Sequence, residues 1–232
     1  MSAFKMAIEG SDGAGKETQT NLLAKAIYGA GKKVDIVSFP RYNQTVGGNL
    51  LYHALGKDKN HMPDFSFANL DPYAASLIYA SDRRESLPFL NGLIANSDVV
   101  VFDRYVESNL LHQGGKFKAI DEREKFGKWL FNLEYGMLDL PSPQITIYLS
   151  LPWEISEARA LERARTNNLT PDLVEMDQNY LRNSHSAGQF YAKHFGWTVI
   201  DCYEYGRELS REEINQKILD VTRVKSLLTQ TA

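Results

Sequence analysis

Residues 4–20, FKMAIEGSDGAGKETQT, restrict the possible folds more than any other stretch. A short apolar run (Phe4, Met6, Ala7, Ile8) meets a glycine-rich turn carrying Gly10, Gly13 and Gly15, then Lys16, then helix-forming residues. Strand, loop and helix in that order make a phosphate-binding loop. The glycines let the backbone curl so that successive N–H groups point inward at an anion. The helix that follows adds the positive end of its dipole. Lys16 supplies the charge that reaches the β- and γ-phosphates. The expected nucleotide-contacting set is Gly10, Ser11, Asp12, Gly13, Ala14, Gly15, Lys16, Glu17 and Thr18. One element departs from the pattern: Glu17 stands where Ser or Thr normally binds Mg²⁺, and Thr18 comes one position late.

A strand, a phosphate loop and a helix call for a sheet to sit in, and 232 residues suffice for one domain with a core that needs no staples. The net charge of −3 argues against a general nucleic-acid binder, so an anion site has to be built locally. The single cysteine, Cys202, rules out an internal disulfide framework and reads as a buried structural thiol of a reducing compartment. No window approaches the roughly 20 apolar residues of a membrane span, and the N-terminus lacks the pattern of a secretory signal. The expectation is a cytoplasmic protein with no membrane partner.

The chain after the loop alternates helix and strand patterns. Residues 16–30 read as a helix and 33–39 as a strand ending at Pro40-Arg41, which places Arg41 at the carboxyl edge where open α/β sheets bind ligands. Residues 45–71, with Gly47-Gly48, His53, His61 and Pro63, read as a polar, solvated loop, and the two histidines are too isolated for a metal site. Pro72 opens one long helical pattern over 73–95. On it Tyr79 and Arg83 share a face, either as a core ring with a surface charge or as a ring and guanidinium turned to a ligand. The strand at 99–102 ends in Asp103-Arg104-Tyr105. These form either a structural pair or a carboxylate for Mg²⁺ beside an arginine for a second phosphate. Ser108, Asn109, His112 and Gln113 are spaced to share a helical face, as hydrogen-bonding side chains able to read a base edge or a sugar.

An amphipathic helix over 119–137, a strand at 144–149, a helix at 153–165, a loop, a helix from 171 to about 194, a strand at 197–202 and a closing helix at 210–228 complete the pattern. The arginines ending 153–165 and the following loop make a candidate lid near 160–175, able to close basic groups over phosphates; the other reading is a solvated helix face. Arg159 is expected on a solvated helix face. The predicted architecture is a single domain over 1–232: an α/β, doubly wound three-layer sandwich around a five-stranded parallel sheet.

Taken together, EGSDGAGKETQ (9–19), FPRY (39–42), YASDRR (79–84), FDRYVESN (102–109), LPSPQITIYL (140–149) and DLVE (172–175) resemble the thymidylate kinases, within the P-loop nucleoside-monophosphate kinases. The resemblance covers nearly the whole chain. It implies ATP and Mg²⁺ as donor and cofactor, dTMP as acceptor, dTDP and ADP as products, and a homodimer. By position, Tyr79 takes the place of the aromatic that stacks on thymine and Arg83 that of the arginine on a thymine carbonyl. Phe39, Ser108, Asn109 and His112 line the nucleoside site, and Arg41 and Arg104 hold its phosphate. Asp12 lies near the sugar and metal, and Asp172 and Glu175 face them from beyond the lid. Asp12, Asp103 and Glu175 form the Mg²⁺ set. Lys16, Arg104, Asp12, Arg163 and Arg165 form the catalytic set, the lid arginines because Gly13 stands where some members carry an arginine. The alternatives are a kinase for another nucleotide or nucleoside, and a nucleotide-binding regulator impaired by Glu17.

Overall fold

The computed structural model describes residues 2–56, 69–166 and 178–229. Five parallel strands form the sheet: β1 (Phe4–Gly10), β2 (Val34–Ser38), β3 (Val99–Asp103), β4 (Ile145–Ser150) and β5 (Thr198–Asp201), in the order β2-β3-β1-β4-β5. In register, Phe4 to Ile8 of β1 lie beside Val99 to Asp103 of β3, while Met6 to Gly10 lie beside Ile145 to Leu149 of β4. The strand order therefore reverses at β1, and a crevice opens beyond the carboxyl ends of its neighbours. Doubly wound sheets bind ligands at such a switch point.

Side chains alternate between the faces, and each face packs on helices. Met6, Ile8, Val101 and Ile147 pack with Leu23 and Ile27 of α1 (Lys16–Gly29) and Ile214 and Ile218 of α9 (Arg211–Asp220). Ala7, Val100 and Phe102 pack on the other face, with Leu90 of α4 (Leu87–Asn96), Phe126 and Leu130 of α6 (Ile120–Phe131) and Tyr191 of α8 (Gln178–Phe195). The result is the expected three-layer sandwich.

Several element boundaries differ from those expected. The stretch at 45–71 is not wholly loop: α2 (Val46–Ala54) forms there, capped by Thr45, whose Oγ1 accepts from the Gly48 N–H at 2.8 Å. His61 and Pro63 lie outside the described residues. The pattern at 73–95 is two helices, α3 (Pro72–Glu85) and α4, joined at Ser86. Pro88 cannot donate the backbone bond that would carry one helix through. α6 relaxes into a π-helical turn, Asn132–Met137. The closing segment is likewise two helices, α9 and α10 (Thr222–Thr229), parted at Val221. A short antiparallel pair, β6 (Tyr203–Glu204) and β7 (Arg207–Glu208), was not expected. α5 (Glu107–His112) and α7 (Trp153–Thr166) fall within the predicted patterns. Cys202 is buried, and burial above all pushes its thiol up to about 12.

Candidate active site

The loop between β1 and α1 opens into a cavity of about 780 Å³. Gly13 has φ +82°, in the left-handed region, and a Cβ there would sit 2.7 Å from the Ser156 carbonyl oxygen of α7. Glycine is thus required both for the turn and for the close approach of α7. A second tie is buried beside it, where the Ser11 and Ser156 hydroxyls meet at 3.0 Å. α1 begins at Lys16 with no side chain capping its first N–H groups, so these remain as donors at the loop. Lys16 Nζ lies inside the turn, donating to the Gly10 and Ser11 carbonyls at 2.8 Å each and standing 3.9 Å from Asp12. Burial, then the nearby Arg104 charge, lower its ammonium to about 8, with Asp12 and Glu9 opposing.

Opposite the loop, β3 ends in Asp103 and the chain turns at Arg104, which has φ +64°. A non-glycine residue in that region is uncommon, and such residues gather at functional sites. Glu9 of β1 fixes the turn from within. Its carboxylate accepts from the Tyr105 N–H at 2.7 Å and from the Ser108 hydroxyl at 2.6 Å, and burial outweighs these donors to raise it to about 6. The Arg104 guanidinium pairs with Asp12 and meets His112 Nε2 at 3.3 Å. Burial alone would raise Asp12, but the Arg104 and Lys16 cations prevail and hold its carboxyl well below the usual carboxylate range. Arg104 is held correspondingly above the ordinary arginine value.

The remaining wall comes from α3, α5 and the chain after β2. Phe39, Tyr79, Arg83, Ser108, Asn109 and His112 all line the cavity. Arg83 is buried and paired bidentately, Nε and Nη2 donating to Glu134 at 2.5 and 2.6 Å, so it is not a surface charge. Arg41 does not line the cavity. Its guanidinium donates to Ser86 Oγ at 3.1 Å and Gln44 Oε1 at 2.7 Å and stacks 3.9 Å over the Phe89 ring. Position at a strand end put Arg41 near the site; the acceptors on Ser86 and Gln44 and the Phe89 ring hold its guanidinium outside the cavity lining.

A family model described as thymidylate kinase matches residues 8–214. The chain belongs to the thymidylate kinase family. Members of this family are enzymes that phosphorylate dTMP, and this chain is one of them. It is 32% identical over 160 residues to the thymidylate kinase of Mycobacterium tuberculosis, covering 69% of this chain and 72% of that one. It is 29% identical over 211 residues to that of Prochlorococcus marinus, covering 88% and 91%. The solved thymidylate kinase of Candida albicans superposes with a TM-score of 0.69 over 98% of this chain and 94% of that one, at 18% identity. That likeness concerns the fold, the expected nucleoside-monophosphate kinase architecture.

Within this thymidylate kinase fold, some expected site residues fall elsewhere. Arg163 and Arg165 belong to α7, but their side chains, like Asp172 and Glu175, lie outside what is described. Among the described residues no three His, Cys, Asp or Glu side chains gather as a metal site. Asp103 suits Mg²⁺ best. It lines the cavity, and among the described residues its carboxylate accepts from the Ser38 hydroxyl at a long 3.4 Å, whereas Asp12 is engaged by Arg104. Mg²⁺ bound with phosphates needs only one or two protein carboxylates. Glu17 is exposed at the cavity mouth.

Arg159 departs from the expected position. Instead of a solvated face it bridges the loop to β7, donating to the Gly13 carbonyl at 3.0 Å and pairing with Glu208. Arg211 and Tyr180, not among the expected site residues, also line the cavity. An arginine four residues before Arg163 was the only signal for Arg159. Nothing in the sequence pairs it with Glu208, 49 positions away.

Proposed function

We propose that this enzyme transfers the γ-phosphoryl group of ATP to dTMP, giving ADP and dTDP, with residues 1–232 acting as one kinase domain. The observation that carries the assignment of roles is the opening of two cationic sites on one cavity: the Gly10–Lys16 loop on one side, and Arg104 with the Tyr79 and Asn109 wall on the other. ATP is assigned to the loop. Its β- and γ-phosphates take the α1 N–H groups and Lys16, whose ammonium exchanges the Gly10 and Ser11 carbonyls for phosphate oxygens. dTMP is assigned to the other wall, its phosphate on Arg104, its base against Tyr79 and near Asn109, with the Arg83 edge beyond.

The bond that breaks joins the γ-phosphorus to the β–γ bridging oxygen; the bond that forms joins the γ-phosphorus to a dTMP phosphate oxygen. That oxygen is already ionised near neutral pH, so no general base is required. The protein's contribution is alignment and neutralisation of charge on the transferred group. Lys16 and Arg104 supply it from the described residues, and Arg163 and Arg165 are assigned to the γ-phosphate from the lid. Asp103 would hold Mg²⁺, which would supply neutralisation of the phosphate charge.

The proposal includes a cytoplasmic location, supported by the lone buried Cys202 and by the lack, among described residues, of any helix long and apolar enough to cross a membrane. It also includes a homodimer, supported by the exposed apolar side chains Val46 and Leu50 of α2 and Leu77 of α3. A coupled ADP-release assay over dTMP, dUMP, UMP, CMP, AMP and GMP, with and without Mg²⁺, tests the reaction. Fastest turnover is expected with dTMP and is lost without Mg²⁺. Nucleotide binding with no ADP release, or a purine monophosphate as best acceptor, would overturn it.

A further inference from the structure

We infer that His112 and Tyr180 are positioning residues that hold the Arg104 guanidinium in place for the acceptor phosphate, an inference that rests on assigning that phosphate to Arg104. The Arg104 side chain is about one-third exposed, at 31%, so packing alone does not fix it. Two contacts do, Asp12 on one side and His112 on the other.

The His112 contact specifies its own chemistry. A guanidinium has only donors. Arg104 Nη1 and His112 Nε2, 3.3 Å apart, can bond only if Nε2 offers a lone pair. The imidazole proton then sits on Nδ1, and Nδ1 lies 2.8 Å from the Tyr180 hydroxyl and 3.4 Å from the Ser184 hydroxyl. The Tyr180 ring lies nearly parallel to the imidazole, at 8° with centroids 5.7 Å apart. The ring is thus oriented by α8, and it presents an acceptor to Arg104.

Neutrality is part of the device, because an imidazolium would turn an N–H against the guanidinium. Burial first, then the Arg104 and Lys16 cations, lower His112 to about 4 against the pull of Asp12. Without His112, Arg104 retains the Asp12 carboxylate as its partner and is drawn toward it. A dTMP phosphate then has to compete with that carboxylate from a poorer starting position.

The tautomer itself can be read in the nucleotide-free wild-type protein by ¹⁵N NMR of the histidine rings at pH 7. The expected result is a neutral His112 protonated on Nδ1; a proton on Nε2, or an imidazolium, overturns the inference. That measurement stands whether or not dTMP is the acceptor, so it separates failure of this inference from failure of the reaction assignment. In kinetics, His112→Phe should raise the dTMP KM about tenfold, as expected for losing a hydrogen bond to a charged group, with the ATP KM within about twofold of wild type. His112→Gln, whose amide can accept from Arg104 and donate to Tyr180, should restore the dTMP KM to within about threefold. If His112→Phe does not fold, Tyr180→Phe takes its place and should raise the dTMP KM alone. A dTMP KM unchanged in these variants, an equal rise in the ATP KM, or a glutamine no better than phenylalanine would each refute the role.

Discussion

Glu9, Glu107 and Glu134 are all carboxylates buried beneath the site. Glu134 is balanced by Arg83, and Glu9 receives two donors. Glu107 receives the Tyr135 hydroxyl at 2.7 Å on one oxygen, and its other oxygen has no hydrogen-bond partner among the described residues. Burial foremost, with the neighbouring Glu9 charge, raises Glu107 from 4.5 to about 8. Because the folded value is the higher one, the native state binds more protons than the unfolded chain between those values. Wild-type stability therefore falls as pH climbs through that window. Glu107→Gln keeps the shape of the protonated acid and removes the titration. Urea unfolding at pH 5, 7 and 9 should show the variant gaining on wild type with each step, by a few kcal/mol at most. Parallel stability curves would rule out a protonated Glu107. Nothing at 103–109 in the sequence marks this group as different from a surface glutamate, because its state is set by Glu9 and Tyr135, distant in the chain.

The α2–α3 pair shows which element-scale features need the fold to be seen. The sequence at 45–71 reads as loop because Gly47-Gly48 is poor helix material. In the structure those glycines are needed where α2 crosses its neighbours. A Cβ on Gly48 would lie 2.2 Å from the Arg41 carbonyl oxygen, and one on Gly47 would lie 2.5 Å from the Asp82 N. Asp82 then ties the segment down, accepting from the Arg41 N–H at 2.9 Å and the Thr45 hydroxyl at 2.5 Å. Gly48→Ala must displace backbone, so a loss of about 2 kcal/mol is expected, read as a lowered urea midpoint with unchanged slope. A variant as stable as wild type would mean that the Arg41 backbone yields to the added methyl without cost. By contrast, the strand at 99–103 and the loop–helix at 10–29 were legible, because a β-branched run and a glycine-rich turn before Lys16 carry their conformation locally.

At the scale of the molecule, the exposed apolar side chains of α2 and α3 bear on assembly. Val46, Leu50 and Leu77 are 79, 52 and 51% exposed, on helices that pack against each other. If they form the homodimer face, sedimentation velocity at micromolar concentration should show a dimer, and Leu77→Glu should shift it to monomer by placing a charge in an apolar contact. A wild-type monomer, or a dimer indifferent to Leu77→Glu, would remove these helices as the interface.

By itself the sequence determined a parallel α/β sheet led by a phosphate loop, since strand periodicity, glycine spacing and Lys16 act over a few residues each. Of the residues it singled out, Asp12, Tyr79, Arg104, Asn109 and His112 line the cavity. Only the tertiary structure decided which cations face that cavity. Arg41 lies outside it against Ser86, Gln44 and Phe89, Arg83 lines it with its charge balanced by Glu134, and Arg159 joins the phosphate loop. A guanidinium goes to whichever acceptors the fold brings within reach, and those acceptors lie on other elements, out of sight of any local pattern.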